Sequence, residues 1–127
     1  MNDDQIEQKI QDKGLTAPRV TMADIEANIV SEHYFTALNG REGAIRAGGY
    51  VGREIPREDN ADLLPLSLLT FCVLVLRNGF TVTGESACAS AKNFEPEIGR
   101  EIARENAIHK VWPLMGYALK ERISPSE

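Results

Sequence analysis

Residues 69–90 read Leu69-Thr-Phe-Cys-Val-Leu-Val-Leu-Arg-Asn-Gly-Phe-Thr-Val-Thr-Gly-Glu-Ser-Ala-Cys-Ala-Ser90. The run from Thr70 to Arg77 is rich in β-branched and aromatic residues, which suit a pleated, half-buried surface. Asn78-Gly79 follows, and then a second short β run, Phe80-Thr-Val-Thr83. Asn-Gly between two such runs is the strongest short signal for a β-hairpin. With a two-residue turn, Arg77 faces Phe80, Val75 faces Val82 and Val73 faces Gly84. Phe71, Val73, Val75, Phe80 and Val82 then share one face, and Cys72, Leu74, Leu76, Thr81 and Thr83 the other. The first strand is apolar on both faces, so both are expected to be covered, by helix or by a partner chain. A helix over 66–76 capped by Asn-Gly is the competing reading.

Outward from the hairpin, residues 94–122 read as a long helix. Pro96 and Glu97 suit its first turn. Ile98, Ile102, Ile108, Val111, Trp112, Met115 and Leu119 form its apolar stripe. Pro113 sits inside it, lacks an N–H and opposes the carbonyl of His109, so a kink or break is expected there. Upstream, Thr21-Met-Ala-Asp24 fits a capping box, with Asp24 in place of the usual Glu or Gln. Met22, Ile25, Ile29 and Phe35 or Thr36, widened by Val30, Tyr34 and Leu38, predict a helix over 22–38. Asn39-Gly40 is its expected stop. Residues 40–62 hold five glycines and read as a long loop, with 44–47 forming at most one turn; loops of this length are often functional, so a lid or binding loop is the functional alternative. The expected organisation is an arm over 1–20, one α+β domain over 21–123 in which a central hairpin is packed by two longer helices, and a tail over 124–127.

The whole chain has 127 residues, 43% of them apolar and 26% charged, which fits one globular domain and excludes a disordered chain or a coiled-coil rod. Fourteen basic residues stand against nineteen acidic ones, a net charge of −5. A duplex-binding protein usually shows a basic excess, so general nucleic-acid binding is disfavoured. Cys72 and Cys88 contain no CxxC pair, which argues against a zinc site. The opening residues, Met1-Asn-Asp-Asp-Gln-Ile-Glu-Gln8, never become apolar, and a reducing cytoplasm with two free thiols is the expectation. The longest apolar run, from Leu63 to Leu76, is too short and too interrupted to span a membrane. No Walker loop, dinucleotide fingerprint or HExxH occurs, so no cofactor and no metal are expected.

Two groups of residues could carry function. Thr83, Glu85, Ser86, Ser90 and Asn93 leave the hairpin and enter the long helix, with Arg100 and Arg104 one and two turns further on. Free N–H groups and a positive helix end favour an anion such as a nucleotide phosphate at such a junction. The plainer reading is that Ser90 or Asn93 caps the helix while the arginines are solvated or paired with neighbouring glutamates. The second group is aromatic: Tyr34 in the cluster His33-Tyr34-Phe35, with Trp112 and Tyr117 flanking Pro113. These are candidate anchors for a partner, with core packing as the plainer alternative. Gly84-Glu-Ser86 is not a nucleophile elbow, because Cys88 stands where the second glycine belongs. A thiol nucleophile at Cys88 would need His33 or His109 brought to it, so no catalytic residue is assigned.

The hairpin stretch also resembles the signature of a small phage protein family, named for gene product 49 of phage N-four and gene 66 of phage Sf-six. The continuation Asn93-Phe-Glu-Pro-Glu-Ile-Gly-Arg-Glu-Ile-Ala-Arg-Glu-Asn-Ala107, then Trp112-Pro-Leu-Met-Gly-Tyr117, resembles it too, as does Ile25-Glu-Ala-Asn-Ile-Val-Ser-Glu-His-Tyr-Phe35. The resemblance spans residues 19–122. It implies a phage or prophage accessory protein in the bacterial host cytoplasm, without established catalytic residues. The expected mode is stoichiometric: counter-defence or host takeover, by docking on a host protein or by sequestering a nucleotide signal, as a homo-oligomer. The alternatives are a small nucleotide or phosphoester hydrolase using Glu85, His33 or His109, and a virion or assembly component.

Overall fold

The computed structural model describes residues 3–15, 17–48 and 59–125. Its elements run α1 (Asp3–Asp12), α2 (Met22–Asn28), β1 (Ile29–Thr36), α3 (Ala37–Ala47), α4 (Leu63–Ser67), β2 (Leu69–Leu76), β3 (Thr81–Ala87), a 3₁₀ turn (Ala91–Asn93) and α5 (Pro96–Ile123). The three strands form one antiparallel sheet in the order β1-β2-β3. The architecture is α+β.

The hairpin is present, and residues 69–76 are strand rather than helix, but the turn is one residue longer than expected. Leu76 N donates to the Phe80 carbonyl, and Gly79 N to the Leu76 carbonyl, both at 2.9 Å. The loop is therefore Arg77-Asn78-Gly79, with Gly79 at φ 87°, where glycine alone carries no Cβ penalty. The change slips the register by one: Leu74 faces Val82, Cys72 faces Gly84 and Val75 faces Thr81. A one-residue slip moves every side chain of β3 to the other face. Val82 thereby joins Cys72, Leu74 and Leu76 in the core, while Thr81 and Thr83 turn to solvent.

The expected helix over 22–38 is instead a two-turn helix followed by a strand. Its capping box forms as read: Asp24 N donates to Thr21 Oγ1 at 3.1 Å, and Thr21 N to Asp24 Oδ2 at 2.9 Å. From Ile29 the backbone extends and pairs with β2, with a bulge at Val30. Ile29, Val30, Tyr34, Phe35 and Thr36 are all good strand formers, and pairing with a buried central strand outweighs a helical stripe that these same residues also fit. Asn39-Gly40 does not stop a helix. Thr36 and Asn39 form a second capping box that starts α3, so residues 40–47 are helical rather than loop. Residues 49–58, the middle of the expected loop, lie outside the described residues.

The 28-residue α5 continues through Pro113 without a break and lies across one face of the sheet. The side chains it buries are small: Gly99, Ala103 and Ala107, then Ile108 and Val111. Ile98 and Ile102, expected in the stripe, are 55% and 44% exposed. Close approach explains the exchange. A Cβ on Gly84 would sit 2.1 Å from the Ala103 carbonyl oxygen and 2.3 Å from Ala107 N. The helix rests on the backbone of β3, and only small residues fit between them. Ile25 of α2 closes the core from the side.

Candidate functional site

Because α5 occupies one face of the sheet, the alternation of β2 directs Leu69, Phe71, Val73 and Val75 to the other. None of the four is fully buried. Phe35 of β1 stands opposite Phe71; the rings stack with centroids 5.7 Å apart, and Phe35 is 40% exposed. Ser31 and His33 flank this strip along β1, and Thr81, Thr83 and Glu85 along β3. Here the doubly apolar character of β2 has its consequence: one apolar face is roofed by α5, and the other is left accessible with a polar border. α3 leaves β1 opposite Thr70, and α4 enters β2 at Leu69, so both helices stand at the Phe71 end. Val73 and Val75 lie toward the other end.

The hairpin-to-helix junction is built differently from the expected anion site. Glu95 caps α5, its carboxylate accepting from Glu97 N at 3.2 Å and Ile98 N at 2.9 Å. An acidic side chain of the chain itself thus occupies the free N–H groups and the positive helix end. Neither Ser90 nor Asn93 is the cap. Ser86 and Asn93 line a cleft of about 160 Å³ with Cys88, Phe94 and Ile102, and Glu95 is at its wall. Cys88 Sγ donates to the Ser90 carbonyl at 3.1 Å. Thr83 Oγ1 donates to Glu85 Oε1, and Lys110 approaches Glu85 at 3.8 Å.

Arg104 points away from this cleft. Its Nε donates to Glu32 of β1 at 2.5 Å and its Nη2 to Glu26 of α2 at 2.8 Å. Asn106, two residues on, donates to the Glu85 carbonyl of β3. Two residues turn an α-helix through about 200°, so Arg104 and Glu85 sit on opposite flanks of α5. Arg100, one turn before Arg104, is exposed on that other flank. The predicted residues therefore divide: Ser86 and Asn93 share a cleft, Thr83 pairs with Glu85, and the arginines stand elsewhere.

Sequence reasoning missed the cluster that Arg104 does make. Tyr34 OH donates to Glu32 Oε1 at 2.9 Å, so Tyr34, Glu32, Glu26 and Arg104 form one half-buried network. Arg104 holds the Glu32 carboxyl below the usual carboxylate range, and the two glutamates push the arginine further up. Burial, aided by the Glu32 carboxylate, pushes the Tyr34 phenol up, and burial raises the Cys72 thiol behind it. These groups satisfy one another, and Tyr34 is a network member rather than an exposed anchor. Trp112 is half-buried against the core, whereas Tyr117 is 70% exposed.

The residues weighed for acid–base or nucleophilic work are not assembled. His33 lies on the open face, bonded to Ser31 Oγ at 3.1 Å. Val73 separates it from Thr83 in the same row, so β3 lies two strand spacings, about 10 Å, from β1. His109 is exposed on α5, across the sheet. Among the described residues, no three His, Cys, Asp or Glu side chains come together as metal ligands, and no helix is long and apolar enough to cross a membrane.

Fold and site together define a small α+β domain that buries one sheet face under a long helix and presents the other. The chain belongs to the phage protein (N4 Gp49/phage Sf6 gene 66) family, whose model matches residues 20–123. No curated protein and no solved structure gives a significant match.

Proposed function

We propose that this phage protein acts by occupancy rather than turnover, docking on a host bacterial protein through the open face of its sheet. The observation that carries the reading is the apolar strip Phe35, Phe71, Val73 and Val75 between the polar borders of β1 and β3. An apolar centre with a polar rim is the anatomy of a protein interface, and exposed apolar patches mark interaction sites. The net charge of −5 favours a protein over a nucleic acid as the target. His33 and Glu85 share the open face but stand about two strand spacings apart, and His109 lies across the sheet, which weighs against the hydrolase alternative, since a general acid and base must reach one substrate. Counter-defence or host takeover in the host cytoplasm is the setting this mode suits.

The test is site-specific photo-crosslinking in a phage-sensitive bacterium, with the reactive group at Thr83 and, for comparison, at Glu101 on the outer face of α5. A protein crosslinked at Thr83, not at Glu101, and released at least ten-fold by Phe35→Ser supports docking. That factor corresponds to about 1.4 kcal/mol of interface energy. Equal crosslinking from both positions overturns it. A crosslink between two copies of the chain assigns the face to self-association instead. Product formed from a nucleotide panel by the purified protein, and lost in Glu85→Gln, restores the hydrolase.

A further inference from the structure

At the end of the molecule away from the α5 N-terminus, a groove of about 630 Å³ opens between the α1–α2 connection, α2, the β2–β3 turn and the last turns of α5. Its volume suits a small-molecule ligand. Val20, Ala27, Met115 and Leu119 supply an apolar floor, and three arginines, Arg19, Arg77 and Arg122, line it. Arg19 is fixed by a two-pronged bond to Glu7, at 2.7 and 2.8 Å. Arg77 and Arg122 make no ion pair among the described residues.

The groove is rich in donors. Asn28 Oδ1 is already committed to Arg77 N and Asn78 Oδ1 to Phe80 N, which leaves both side-chain NH₂ groups to donate. The acidic lining residue, Asp24, accepts from Thr21 N in the capping box, and the Thr21 bonds, with smaller help from the charges of Arg19 and Arg122, hold its carboxyl below the usual range. Two arginine charges thus share one carboxylate, and Arg77 faces none among the described residues. The Arg77 backbone is anchored at the groove's edge, its N–H bonding both the Asn28 carbonyl and the Asn28 side chain, while the side chain is exposed. Guanidinium groups over an apolar floor match a ligand with an oxyanion and a flat apolar body.

We infer that this groove binds a small organic phosphate, the phosphate held by Arg77 and Arg122 and the apolar part laid on Met115 and Leu119. The inference is independent of the sheet-face reading, since the groove shares no residue with that face.

The test is isothermal titration of the full chain with phenyl phosphate and with inorganic phosphate as probes. Saturable binding of phenyl phosphate, at least ten-fold tighter than inorganic phosphate and weakened at least ten-fold in both Arg77→Ala and Arg122→Ala, is expected. Arg46→Ala, exposed on α3 and outside the groove, is expected to leave it unchanged. Both groove arginines are at the surface, and unaltered melting temperatures in the variants exclude misfolding as the cause. Affinity that is equal in wild type and both variants, or equally lowered by Arg46→Ala, overturns the inference. So does an absence of phenyl phosphate binding at millimolar concentration.

Discussion

Replacing Gly84 by alanine tests the contact on which the domain is built. The new Cβ would meet the Ala103 carbonyl oxygen at 2.1 Å, Ala107 N at 2.3 Å and Ala107 Cα at 2.9 Å. Carbon and oxygen approach to about 3.3 Å at closest, so α5 must withdraw by about 1 Å. Every atom it meets is backbone, and no rotamer change relieves it. A gap of this size forfeits about half of each dispersion contact across it. A buried aliphatic side chain makes about 50 contacts of about 0.15 kcal/mol, of which roughly half face the partner layer, so each loses about 1.9 kcal/mol. Counted once, from the sheet side at Leu74 and Val82, the loss is about 4 kcal/mol, a large part of the roughly 5–15 kcal/mol that stabilises a domain of this size. Urea unfolding followed by circular dichroism measures it directly, and the melting temperature should fall by about 15 °C. Gly116→Ala is the control, because nothing lies within 4 Å of a Cβ there. At that helical position alanine should stabilise by up to about 1 kcal/mol. A loss below about 1 kcal/mol at Gly84, beneath the usual cost of overpacking, would refute the close-approach argument.

Three further outcomes are expected. Glu32 is held below its usual carboxylate range by Arg104, so its contribution is present above pH 4.5 and is lost as pH falls through the lowered value. Glu32→Gln should therefore flatten the acid limb of stability in urea melts between pH 6 and 3; an unchanged limb would remove Arg104 from the account. Gly79→Ala forces alanine to φ 87° in the hairpin turn and should cost about 1–2 kcal/mol, and Gly79→Asn less, by urea midpoint. Pro113→Ala restores an N–H to α5 opposite the His109 carbonyl and should raise stability by about 1–3 kcal/mol, read as a higher melting temperature.

The hairpin and the long helix were legible because their signals are local: Asn78-Gly79 between two β runs, and Pro96-Glu97 opening an apolar period. The register was not. Gly79 serves equally in a two-residue and a three-residue loop, and only the burial of Val82 beside Leu74 separates them. β1 was hidden because Ile29, Tyr34 and Phe35 satisfy a helical period as well as an alternating one, and its pairing partner lies forty residues away. The buried side of α5 was misread for a related reason. Hydropathy ranks Ile98 and Ile102 above Gly99, Ala103 and Ala107, whereas backbone contact with Gly84 requires the small ones. For the site, the proximity of Ser86 and Asn93 could be read from adjacency. The partners of Arg104 are 72 and 78 residues away in sequence, and no local pattern announces them.

Those long separations bear on the order of assembly. β2, β3 and α5 follow one another through only residues 77–80 and 88–95, so their contacts close short loops, whereas β1 must be carried back across residues 37–68 to reach β2. Loop-closure entropy rises with that span, which makes β2–β3–α5 the early unit and α2–β1 the late arrival. Arg104 is then the latch between the two, sitting on the early unit and closing on glutamates that both belong to the late one.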